Sequence, residues 1–97
     1  MKENRFQAKL IQRLKTDYPD AIVIPNDGNY IQGFPDVTIF AGEKYGMFEC
    51  KKGEHEPHQP NQDYYIDKID SMSFARFIYP ENYESTLDEF ARFINES

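Results

Sequence analysis

Six prolines, at positions 19, 25, 35, 57, 60 and 80, set where regular elements can run in this 97-residue chain. Proline fixes φ and lacks a backbone donor, so helices and central strands must fit between these points. Glu3 to Asp17 has neither Gly nor Pro, and Phe6, Leu10, Ile11 and Leu14 recur at helical spacing, which predicts a first helix ended by Tyr18-Pro19-Asp20. Ala21 to Ile24, trapped between Pro19 and Pro25, has only strand length and is rich in β-branched residues. Asn26 to Pro35 has the Asn, Gly and Pro content of a loop.

Residues 36–41 then read as a second strand and Tyr45 to Lys51 as a third, joined by a tight connection at Ala41-Gly42-Glu43-Lys44. Gly53 to Pro60 is a loop. Asn61 is the expected cap of a helix running to about Met72, and Phe74 to Tyr79 is a fourth strand stopped by Pro80. A last helix is expected from Ser85 or Thr86, where Thr86 and Glu89 match a capping box. The order is αβββαβα, one small α/β domain with a central mixed four-stranded sheet flanked by helices. Chains of this length rarely divide, since domains typically hold about 100–150 residues.

Charge and cysteine content exclude several classes. A net charge of -6 does not suit a domain that coats nucleic acid without selectivity, which needs clustered Lys and Arg. Cys50 is the only cysteine, so no disulfide forms within the chain and a reduced, cytoplasmic setting is expected. Lys2, Glu3, Asn4 and Arg5 stand where a signal peptide would be apolar, and no apolar run reaches the roughly 20 residues of a membrane span.

Chemistry concentrates at Gly33-Phe34-Pro35-Asp36 and Glu49-Cys50-Lys51. Strand side chains alternate faces, so Glu49 and Lys51 point one way and Cys50 the other. Pairing of the two strands through the short hairpin brings Asp36, at the start of one, near the end of the other. Two carboxylates converging there suit Mg²⁺, with Mn²⁺ able to substitute, and the backbone carbonyl of Cys50 is a reasonable third ligand. A cation and the Lys51 ammonium together supply what phosphodiester hydrolysis requires: a polarised phosphoryl oxygen, an activated water and compensation of developing charge. Glu3 shares the inward stripe of the first helix with Gln7, Leu10 and Leu14; it either reaches the metal or stabilises the helix dipole. Gln62, on the face of Tyr65, Ile66 and Ile69, either faces the site or simply opens its helix.

With this element order, Asp36 behind Gly33-Phe34-Pro35, Glu49-Cys50-Lys51 and the downstream Gln62, the chain resembles the PD-(D/E)xK nuclease superfamily. It is most similar to the VRR-NUC (virus-type replication-repair nuclease) family and next to archaeal Holliday-junction resolvases. The similarity runs from Glu3 to about Tyr79. It implies a restriction-endonuclease-like core in which Glu3, Asp36 and Glu49 gather the metal, Lys51 assists catalysis and Gln62 opens the helix after the motif. It also implies a phage-type homodimer acting on DNA, branched or double-stranded, such as Holliday junctions. Lys52, His55 and His58 are the candidate DNA contacts in the loop after the motif.

Blander readings stand beside these. Separately, Asp36 reads as a turn residue, Glu49 and Lys51 as a solvated pair, and Lys52 as a solvated lysine. Cys50, His55 and His58 match no common zinc spacing, and the thiol belongs in the packed face. Tyr64, Tyr65, Phe74 and Phe77 follow helix and strand periods and are expected in the core. The rival functions are a non-catalytic nuclease-fold module that binds DNA or a partner protein, and a restriction-type enzyme, for whose extra recognition elements 97 residues leave little room.

Overall fold

The computed structural model describes residues 3–27 and 30–96, with Glu3 described in its backbone alone. Helix α1 spans Glu3–Asp17, followed by strands β1 (Ile22–Pro25), β2 (Val37–Ala41) and β3 (Lys44–Cys50). Helix α2 (Gln62–Met72), strand β4 (Phe74–Ile78), a 3-10 turn (Pro80–Asn82) and helix α3 (Tyr83–Asn95) complete the order. The sheet runs β1-β2-β3-β4, antiparallel across the first three strands, while β4 lies parallel to β3. A parallel neighbour requires a crossover. The loop after β3 and α2 provide it, and they arch over the end of β3 where Glu49 and Lys51 lie.

Alternation along the strands divides the side chains between two cores. On one face Val37, Ile39, Phe48, Cys50, Phe74 and Ile78 pack against Phe6, Leu10 and Leu14 of α1 and Tyr83, Leu87 and Phe90 of α3. Gly46 is the close approach in this layer: a Cβ there would lie 2.6 Å from the Phe90 ring. On the other face Ile66 and Ile69 of α2 meet Ala75, with Phe34, Tyr45, Met47, Tyr65 and Phe77 around them. The molecule is thus a small α/β fold with a mixed four-stranded sheet flanked by helices.

Several local expectations are corrected. β1 sits one residue later than the sequence suggests and ends on Pro25, which is tolerated because β1 is an edge strand. Asn61 precedes α2 in the left-handed region (φ 72°) and makes no side-chain cap. Helix α3 starts at Tyr83, with Thr86 buried inside it rather than capping it. Asn82 instead organises the turn, accepting from the Tyr79 N–H at 2.8 Å and donating to the Phe77 carbonyl at 3.0 Å. Tyr64 is 59% exposed, one helical step off the buried stripe, while Phe74 is buried and Phe77 half-buried.

Candidate active site

Asp36 and Lys51 lie just outside the formal strand ends, but the ladders continue to both. The Asp36 N–H donates to the Phe48 carbonyl at 3.0 Å, and the Lys51 N–H to the Ile78 carbonyl at 2.9 Å. Asn26 fixes the segment before Asp36 from the neighbouring strand. Its N–H donates to the Asp36 carbonyl at 2.7 Å, and its side-chain amide donates to the Pro35 carbonyl (3.0 Å) and Thr38 Oγ1 (2.8 Å). Gly33 locks the same segment onto the crossover. It has φ 84°, and a Cβ there would lie 2.7 Å from the Pro60 carbonyl oxygen and 2.8 Å from Asn61. The backbone that presents Asp36 therefore abuts the backbone that presents Gln62.

Around this frame Asp36, Glu49, Lys51 and Gln62 line one open cavity of about 450 Å³. Glu49 and Lys51 are almost wholly buried, at 3% and 2% exposure, although both are charged residues. Asp36 Oδ2 accepts the Cys50 N–H at 2.9 Å, and its carboxyl hydrogen-bonds with that of Glu49. Burial pushes the Asp36 carboxyl above its usual range. The Cys50 N–H, Glu49 and the Lys51 ammonium oppose that push, and Glu56 adds to it. Two carboxyls in contact disfavour the doubly charged pair, a repulsion that a bound cation would relieve.

Gln62 joins the charged groups. Its Oε1 accepts from Lys51 Nζ and from the Gln59 N–H, both at 2.7 Å, and its Nε2 donates to Glu49 Oε2 at 3.0 Å. These three bonds fix which end of the amide is oxygen. Lys51 Nζ also reaches the Pro57 carbonyl at 3.2 Å and Glu56 Oε2 at 3.8 Å.

The cavity thus collects Asp36, Glu49, Lys51 and Gln62 as the sequence suggested. The Cys50 thiol is buried in the opposite core, as strand alternation requires. The side chain of Glu3 falls outside the described residues; Asn4 and Gln7 of the same helix border the cavity. Lys52 is exposed, as is His55, whose side chain is 94% exposed. His58 stacks on Phe77 at 3.9 Å between ring centroids and places Nδ1 2.7 Å from Asp63 Oδ1. Sequence reasoning missed Glu56 and Gln59, which also line the cavity. They sit in an irregular loop where no periodicity marks direction; only Gln7, already on the inward stripe, carried a signal.

Among the described residues no group of three His, Cys, Asp or Glu side chains is placed to hold a metal ion. The donors on hand are the two carboxylates of Asp36 and Glu49, oxygen ligands facing an open cavity. That set fits Mg²⁺, which binds through one or two carboxylates and keeps several waters. It does not fit a closed four-ligand zinc centre. Comparison with protein-family models, with curated proteins and with solved structures finds no match.

Proposed function

We propose that this chain is a Mg²⁺-dependent endodeoxyribonuclease with a restriction-endonuclease-like core, of the PD-(D/E)xK type and most like the VRR-NUC family. The observation that carries the reading is the contact between the Asp36 and Glu49 carboxyls in an open cavity, beside the buried Lys51 ammonium. Burying the charged Glu49 and Lys51 together beside a half-buried Asp36 costs stability unless the groups are paired, and nothing in folding the sheet requires it. A site that takes up a cation and a phosphate explains the arrangement.

Asp36 and Glu49 would hold the cation, with the Cys50 carbonyl proposed beside them and Glu3 a candidate from α1. The cation would supply Lewis acidity and a more acidic bound water. Lys51 has the position to orient the attacking water or to offset charge on the phosphate, and Gln62 holds Lys51 and Glu49 in fixed relation. The net charge of -6 leaves DNA affinity to the cation and to local groups, Lys52, His55 and His58 among them. Branched DNA, such as a four-way junction, is the proposed substrate and a homodimer the proposed unit, since symmetric cutting of two strands needs two sites. The exposed Ile22, Ile24 and Phe40, side by side on β1 and β2, support self-association.

The test is incubation with labelled four-way junction, flap, linear duplex and single-stranded DNA, with Mg²⁺, with Mn²⁺ and with neither. Metal-dependent cleavage, strongest on branched substrates, is expected. Binding without cleavage would favour the non-catalytic module; no cleavage of any substrate by folded protein would sink the nuclease reading.

A further inference from the structure

Lys51 is held by more than its strand. Its ammonium is enclosed by Gln62 Oε1, the Pro57 carbonyl and Glu56 Oε2, and two of these three come from the loop between β3 and α2. Glu56 is the charged member, and it is doubly engaged. While Oε2 faces Lys51 Nζ at 3.8 Å, Oε1 accepts the Lys52 N–H at 2.7 Å. The Glu56 N–H bonds the Gly53 carbonyl at 3.2 Å, closing a turn that aims the carboxylate back at the strand end. Its side chain is only 23% exposed and borders the same cavity as Asp36 and Glu49.

A long lysine side chain has several rotatable bonds, and the neutral acceptors Gln62 and Pro57 hold its ammonium by hydrogen bonds alone. A carboxylate anchored to the next residue's backbone adds a charge attraction to the ammonium, which grows as water is excluded. We propose that Glu56 is a positioning residue for Lys51: it fixes the ammonium at the cavity wall through a carboxylate clamped on the Lys52 N–H. It also keeps Lys51 from swinging onto Asp36 and Glu49, where the ammonium would compete with a cation. The consequence for catalysis rests on the nuclease reading; the fixing of the ammonium does not.

Glu56→Gln is the decisive variant, since its amide oxygen still accepts the Lys52 N–H while the charge is gone. Glu56→Asp and Glu56→Ala accompany it, and Lys51→Met assigns the signal. The first readout is hydrogen exchange of the Lys51 ammonium in ¹H–¹⁵N spectra of the full chain. A slowly exchanging ammonium is expected in the parent protein, with exchange at least about fivefold faster in Glu56→Gln and partly restored in Glu56→Asp. The second readout is cleavage of a branched DNA with Mg²⁺, where kcat should fall about tenfold while KM stays within about twofold. Unchanged ammonium exchange in folded Glu56→Gln overturns the proposal, as does an unchanged kcat when the parent is active. If the parent cleaves no DNA, the nuclease reading fails, and the exchange measurement alone still decides the role of Glu56.

Discussion

Replacing Gln62 tests the site as a mechanical object. Gln62→Ala removes the acceptor at 2.7 Å from the Lys51 ammonium and the donor at 3.0 Å from Glu49, and it leaves the Gln59 N–H without its acceptor. Hydrogen bonds to charged groups contribute about 1.5–3 kcal/mol each. The lower end applies, because Lys51 keeps Pro57 and Glu56, Glu49 keeps Asp36, and the adjoining cavity admits water. Two such bonds and about 0.5 kcal/mol for the Gln59 N–H give a loss of about 3.5 kcal/mol. For a domain of this size that lowers Tm by about 15–25 °C. Urea unfolding of the parent, Gln62→Ala and Gln62→Met provides the assay. The methionine variant keeps the side-chain length but not the hydrogen bonds, so both variants should lose similar stability with an unchanged m-value. A loss below about 1 kcal/mol in both would refute the reasoning, because the charged groups would then not depend on the amide.

Asp36→Asn should stabilise the protein near neutral pH while abolishing cleavage. Burial raises the Asp36 pKa in the fold, so its contribution to stability is full below the unfolded-state pKa and is lost as pH rises through the raised folded value; thermal melts should show a flatter profile above about pH 4 in the variant. Mn²⁺ at millimolar concentration should raise the Tm of the parent and leave Asp36→Asn unmoved, since a ligand that binds only the folded state stabilises it; equal shifts would place binding elsewhere. Gly33→Ala should lose about 2 kcal/mol or more from its positive φ and the close Pro60 carbonyl, with a further fall in kcat as Asp36 and Gln62 separate; calorimetry and cleavage rates measure both.

The strands and the first two helices were legible because their signals are local. Proline spacing isolates β1, the apolar period of 3.6 marks α1, and the alternation around Cys50 sends Glu49 and Lys51 to one face. Asp36, Glu49, Lys51 and Gln62 could therefore be named before any geometry. The loop after β3 could not be read, because Glu56 turns inward through a Gly53–Glu56 backbone bond and a Lys52 N–H contact that no periodicity encodes. The start of α3 was misplaced for a related reason. Thr86 and Glu89 match a capping box locally, but Asn82 is tied to Phe77 and Tyr79 at the end of β4, and those short-range bonds set the turn from which the helix begins. Tyr64 shows the limit of residue type: an aromatic one step off the buried stripe stays in solvent.

The central claim is that Asp36 and Glu49 hold a cation for phosphodiester hydrolysis with Lys51 assisting. Initial rates of cleavage of a labelled four-way junction across a Mg²⁺ titration, for the parent, Asp36→Asn and Lys51→Ala, test it most directly. The account predicts saturable, Mg²⁺-dependent turnover in the parent and none above background in either variant, with both variants folded. Turnover that survives Asp36→Asn, or that is indifferent to Mg²⁺ and Mn²⁺, would contradict it.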